Sequence, residues 1–204
     1  MRQALTALAA AGLPFAAAAV EEPDHEVIVE DGNFEVRLYE PIITASVDVR
    51  GEKGAAANAA FNALFRYISG NNTAKAKIDM TAPVTQAASS RIDMTAPVTQ
   101  TETGKGVWRV SFVMPEEWTM ETLPAPDDSR VMLAETPART LATIRFSGRA
   151  RPKAQAEKTA ALETWIAERG YEITGPAVTA FYNAPFVPGP FRRNEIMIPV
   201  RLPD

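Results

Sequence analysis

Alternation sets in at Phe34. In FEVRLYE, Val36 and Leu38 fall on one side and Glu35 and Arg37 on the other, which predicts a half-buried strand. IITASVDVR, after Pro41, predicts a second strand. Over residues 54–69, GAAANAAFNALFRYIS, the period lengthens to that of a helix. Ala57, Phe61, Leu64, Phe65 and Ile68 then form one apolar stripe, and Gly70 and Asn71 supply its ending. VWRVSFVM, 107–114, puts Trp108, Val110, Phe112 and Met114 back on one strand face. Residues 115–138 are acidic and rich in proline and predict a long connection. The second part then repeats the first. RTLATIRFSG (139–148) predicts a strand, and 152–170 a helix with Leu162, Trp165 and Ile166 inward and Gly170 as its stop. VTAFYN (178–183) and NEIMIPV (194–200) predict two more strands around the turn-rich APFVPGPFRR. Each half therefore reads strand, helix, strand, strand. Two such units predict an α+β fold: one antiparallel sheet curved towards a barrel, with two helices packed against it.

Between the halves one phrase is written twice. KIDMTAPVTQ, 77–86, returns as RIDMTAPVTQ, 91–100, nine residues repeated identically at a period of fourteen. Taken as a strand, the first copy sends Ile78, Met80 and Ala82 one way and Lys77, Asp79 and Thr81 the other. Pro83 cannot donate to a ladder, so the strand must end, bulge or lie at an edge there. Two such strands joined by AASSR predict a hairpin. The second copy, with Ile92, Met94 and Ala96, would lengthen one wall of whatever the sheet encloses.

Composition narrows the chemistry. The 204 residues carry a net charge of −4, which offers no field for nucleic acid. Cysteine is absent and His25 is the one imidazole, so thiol catalysis, zinc–thiolate sites and covalent haem attachment are excluded. At the N-terminus Arg2 precedes an apolar run from Ala4 to Ala19, and acidic residues follow. That order predicts a signal peptide over residues 1–19, cleaved after Ala19, and a single domain over 20–204 that is periplasmic or secreted with no stable membrane span.

The repeated phrase resembles the signature of the SOUL/haem-binding protein family, in the form KIxMTAPV. FEVRLYEP (34–41), FNALFRYISGNN (61–72) and FRRNEIMIPV (191–200) match it in order, and the resemblance spans roughly residues 27–202. It implies a distorted antiparallel β-barrel built from two β-α-β-β halves flanked by two helices, similar to the effector-binding domains of bacterial regulators. It also implies non-covalent binding of haem or a related tetrapyrrole in an apolar groove beside a helix, and no fixed catalytic apparatus.

Haem requires an apolar slot, cations near its carboxylates and, optionally, an axial His, Met, Cys or Tyr. Candidates for the slot are Phe61, Leu64, Phe65 and Ile68 on the first helix and Met80 and Met94 in the two copies. Their alternative is plain core. Arg66 flanks the helical stripe and is set to reach a carboxylate. Arg192 and Arg193, with Phe186 and Phe191, make an aromatic and cationic rim, to which Tyr182 adds a phenol; pairing with Glu195 and anchoring of the loop are the alternative roles. His25, close to the new chain end, reads as a solvated residue. No G-x-S-x-G elbow, phosphate loop or metal cluster is present, and Asp79 and Asp93 fall on the face opposite Met80 and Met94. The leading expectation is carriage, buffering or scavenging of haem outside the cytoplasm. Binding of another hydrophobic small molecule or a lipid is the alternative, and an enzyme of unknown chemistry the third.

Overall fold

The computed structural model describes residues 20–74 and 89–203. Within them the first half contains β1 (His25–Asp31), β2 (Phe34–Tyr39), β3 (Ile42–Arg50), α1 (Lys53–Ile68), β4 (Asn72–Thr73), β5 (Val98–Gly104) and β6 (Val107–Val113). The second half contains β7 (Ala125–Pro126), β8 (Met132–Thr136), β9 (Arg139–Phe146), α2 (Pro152–Glu168), β10 (Glu172–Ile173), β11 (Val178–Phe181) and β12 (Asn194–Arg201). The main sheet is antiparallel, in the order β1-β2-β9-β12-β11-β5-β6-β3-β8, with β1 and β8 at its edges. In each half the strand before the helix lies beside the last strand of its unit, and the two units meet where β5 pairs with β11. The two halves expected from periodicity are thus joined in one curled half-barrel.

Each helix closes its own core on one face of the sheet. Ala45 pairs with Phe112 and Val47 with Val110, and these four pack with Ala60, Ala63, Leu64 and Ile68 of α1. In the other half Ile196 pairs with Ile144 and Ile198 with Ala142, beneath Leu162, Trp165 and Ile166 of α2. Burial of each large aliphatic side chain contributes about 1.5–3 kcal/mol, so these two seams hold the helices in place. The end of α1 is tied down by Asn72, which is buried. Its amide donates to the carbonyls of Tyr67 (2.7 Å) and Ser90 (2.8 Å) and accepts the Ser90 N–H (2.8 Å). The helix terminus is thereby fastened to the start of the second copy.

Several expectations change. β1 went unread because it is an edge strand with little burial and so shows no alternation. β5 went unread because VTQTETG is polar. The connection 115–138 holds β7 and β8. The second copy is not a strand: residues 91–97 are irregular and pairing begins at Val98. Its donors are taken elsewhere, the Ile92 N–H by the Ile68 carbonyl at 2.9 Å and the Ala96 N–H by the Glu21 carbonyl at 2.8 Å. The first copy lies outside the described residues, and with it the expected hairpin. Finally, alternation in β2 sets Arg37 opposite Val36 and Leu38 as the polar side, yet Arg37 is 3% exposed, whereas Leu38 is 37% exposed.

Candidate functional site: a cleft at the end of the sheet

Four short segments converge where β2 turns into β3. They are Glu21–Asp24 ahead of β1, the Glu40–Pro41 corner running into Ile42 and Ile43, Val113–Thr119 from the end of β6 onward, and Glu135–Pro137 at the end of β8. Between them lies a cleft of about 680 Å³, inside the range of small-molecule sites. Ile42, Ile43, Val113, Met114 and Trp118 give it apolar walls, and Pro23, Pro41, Pro115 and Pro137 stiffen its corners. Thr95, from the second copy, reaches it and donates its hydroxyl to the Val113 carbonyl at 2.5 Å. The buried Trp118 indole N–H has no hydrogen-bond partner within the described residues.

Residues 21–24 form a strap along this cleft. The Glu21 carboxylate accepts the Glu116 N–H at 2.7 Å, and the Asp24 carbonyl accepts the Glu40 N–H at 3.3 Å. With the Ala96 bond to Glu21, these contacts fix the strap to β2, to the second copy and to the loop after β6. Glu22 accepts two hydrogen bonds from Arg193, both at 3.0 Å. That pair leads into the sheet.

On the sheet face turned away from the helices, Glu195 is fully buried and charged groups surround it. Arg37 donates to it at 2.8 and 3.2 Å, Arg193 at 3.0 Å and the Tyr182 hydroxyl at 2.8 Å. Burial pushes the Glu195 carboxyl up, but the hydrogen bond and charge of Arg37, with Arg193 and Tyr182, outweigh it and hold it below the usual glutamate range. Burial also raises the Tyr182 phenol, with Glu195 beside it adding to the effect. Burial lowers Arg139, whose Nε is buried without a partner in the described residues. The network is self-satisfied at its centre, which marks it as scaffold for the strap.

The sequence candidates do not converge on one place. Leu64 and Ile68 are buried on the inner side of α1 and have no surface to offer, so the gap between helix and sheet is filled by core. Phe61 packs edge-on to Phe112 and stacks on Phe65, which is half exposed; Arg66 is exposed and donates to the Asn62 carbonyl at 3.2 Å. Met94 is exposed and Met80 lies outside the described residues. Phe186 and Phe191 project into solvent, while Arg192 donates to the Val187 and Pro185 carbonyls and so anchors their loop. Arg193 pairs with Glu195 and covers the Tyr182 ring at 3.7 Å. These are the alternative roles considered for both arginines. His25 opens β1, with its ring 4.8 Å from that of Tyr39 and Nδ1 3.1 Å from the Pro23 carbonyl. It is the first residue of the edge strand and is partly buried there. The cleft residues went unread, although one signal was present: EEP, YEP, MPEE and ETP each place glutamate beside or near proline at a strand end.

Among the described residues no group of three or more acidic or histidine side chains is placed to hold a metal, and no helix is long and apolar enough to cross a membrane. Human (Homo sapiens) heme-binding protein 2 is 28% identical over 176 residues, covering 83% of this chain and 82% of that protein. Among solved structures, the EcmrR C-terminal domain is similar with a TM-score of 0.59 at 11% identity, over 83% of this chain and 98% of that one. A hydrolase from Listeria innocua gives 0.56 at 14% identity, over 85% and 94%. At such identities both show the fold alone. The family model for SOUL heme-binding protein matches residues 20–91 and again 85–199, the two stretches overlapping within the duplicated region. By that match, which runs through both halves of the sheet, the chain belongs to the SOUL heme-binding protein family.

Proposed function

We propose that this protein binds haem or a related tetrapyrrole non-covalently, outside the cytoplasm, and that the ring enters the cleft beneath the strap. The observation that carries the reading is the cleft itself: about 680 Å³ of space with walls of Ile42, Ile43, Val113, Met114 and Trp118, in a chain of a heme-binding family. A flat apolar ring fits such walls, since its burial is driven by the apolar area removed from water. Of the described lining residues only Met114 bears a soft donor of the kind that ligates haem iron. Bound haem would supply redox and ligand chemistry at its iron; the protein's residues hold the ring and keep water from one face. The leader-like residues 1–19 support export, and N-terminal sequencing of the mature protein tests it, with Val20 expected first.

Titration of residues 20–204 with hemin tests the binding site. The expected result is a saturable Soret change at micromolar ligand. In Ile42→Glu, which places a charge on the cleft wall, affinity should fall more than about tenfold. Phe65→Ser, on the outer surface of α1, should titrate like the parent. A linear, non-saturating Soret response, or an Ile42→Glu curve superimposable on the parent's, overturns the reading.

A further inference from the structure

The rim of the cleft has one sign of charge. Glu21, Glu22, Asp24, Glu40, Glu116 and Glu135 all line it, and no described lysine, arginine or histidine does. Neutralisation is slight. Glu22 is paired with Arg193, but that guanidinium is shared with the buried Glu195. Glu21 is occupied by a backbone N–H, which brings no counter-charge. Asp24, Glu40, Glu116 and Glu135 make no ion pair with any described residue. Some acids elsewhere on the surface do have a cationic partner, such as Asp31 with Arg169, Asp48 with Arg109, Asp128 with Arg130 and Glu172 with Arg201. The apolar hollow is thus ringed by carboxylates with no cation in its lining, and low-dielectric walls focus their field into it. The face of Trp118 adds a further attraction for positive charge.

We infer that the cleft selects an apolar, plate-like ligand whose polar end is cationic, and that it disfavours one ending in free carboxylates. The inference rests on the cleft being the ligand site and refines which ligand it takes. For haem itself, the two carboxylates would have to face away from the rim. A ring bearing amines or ammonium groups at the same positions would place opposite charge against Glu40, Glu116 and Glu135 instead.

Two probes with one ring separate the charge from the shape: hemin, and its diamide with ethylenediamine, which carries two ammonium groups in place of two carboxylates. At about 0.02 M salt the diamide is expected to bind at least roughly tenfold tighter than hemin, a preference shrinking to within about threefold at about 0.5 M salt. The triple variant Glu40→Gln/Glu116→Gln/Glu135→Gln should lose most of the preference at low salt. Equal or tighter binding of hemin by the parent, or a triple variant that keeps the full preference, overturns the charge selection. In those cases Ile42→Glu weakening both probes would leave the cleft reading standing. Failure of both probes to saturate would remove the cleft reading and the selection together.

Discussion

Glu195→Gln perturbs the buried network at its centre without changing its size. In the parent, Glu195 is fully buried and the Arg37 side chain is 4% exposed, so the pair has almost no water to fall back on. Glutamine keeps one acceptor but turns an amide N–H₂ towards arginines that can only donate. Arg37 is then left with Glu35 at 2.5 Å and the Tyr39 hydroxyl at 3.0 Å. Breaking one side of a buried pair costs about 3–5 kcal/mol, and because glutamine retains a hydrogen bond we take the lower end, about 3 kcal/mol. For a chain of this size that corresponds to a fall in Tm of about 6–12 °C. Asp48→Asn is the control: its partner Arg109 is 41% exposed, and the solvent-screened pair should be worth less than about 1 kcal/mol. The sign of the pH dependence follows from the lowered Glu195 carboxyl. Its contribution is complete above the ordinary glutamate value of about 4.3 and is lost as pH falls through the lower folded value. Urea unfolding from pH 7 down to pH 3 should therefore show a constant gap between parent and variant at first, closing in acid. A gap below about 1 kcal/mol at pH 7, or one that stays open in acid, refutes the argument.

Three further outcomes are expected. Leu64→Ala should cost about 2–5 kcal/mol in chemical unfolding, because Leu64 is fully buried, and leave hemin affinity unchanged, because it lies on the inner side of α1. His25→Ala should lose the ring contact with Tyr39, about 0.5–1.5 kcal/mol, with the Soret titration intact. Deletion of residues 75–88, one period of the duplication, should change stability by less than about 1 kcal/mol in urea unfolding. Ser90 is already bonded to Asn72, so the ends to be joined are close.

The sheet was legible wherever two periods compete cleanly. α1 and α2 declare themselves because only one side of each meets the sheet, and β3, β6, β9 and β12 because their cores are apolar on alternate residues. Periodicity fails in two ways here. β1 and β8 are edges, where exposure erases the contrast that alternation depends on. In β2 the strand is found but its sides are misassigned: Val36 packs in the core of α2, Arg37 is buried in the Glu195 network and Leu38 is exposed, so Arg37 counts as polar in the pattern while packing as core. A charged side chain reads as surface unless its partner is known, and this partner is 158 residues away.

The duplicated phrase shows the same limit at a finer scale. Two copies identical over nine residues carry identical propensities, so nothing within the second copy alone sets its course. What separates them is their neighbours. The second copy runs directly into β5, which the turn before β6 holds in register, and this places Ile92 against the end of α1, Ala96 against the strap and Thr95 at the cleft. The cleft itself follows from this convergence: its walls come from strand ends that are far apart in sequence, each turned by a proline and most marked by a glutamate. A reading that looks for a site along one helix or within one motif passes over it. A reading that asks where several short, stiff, acidic corners must meet finds it where the corner from β2 into β3 meets the ends of β6 and β8, the two strands that flank β3.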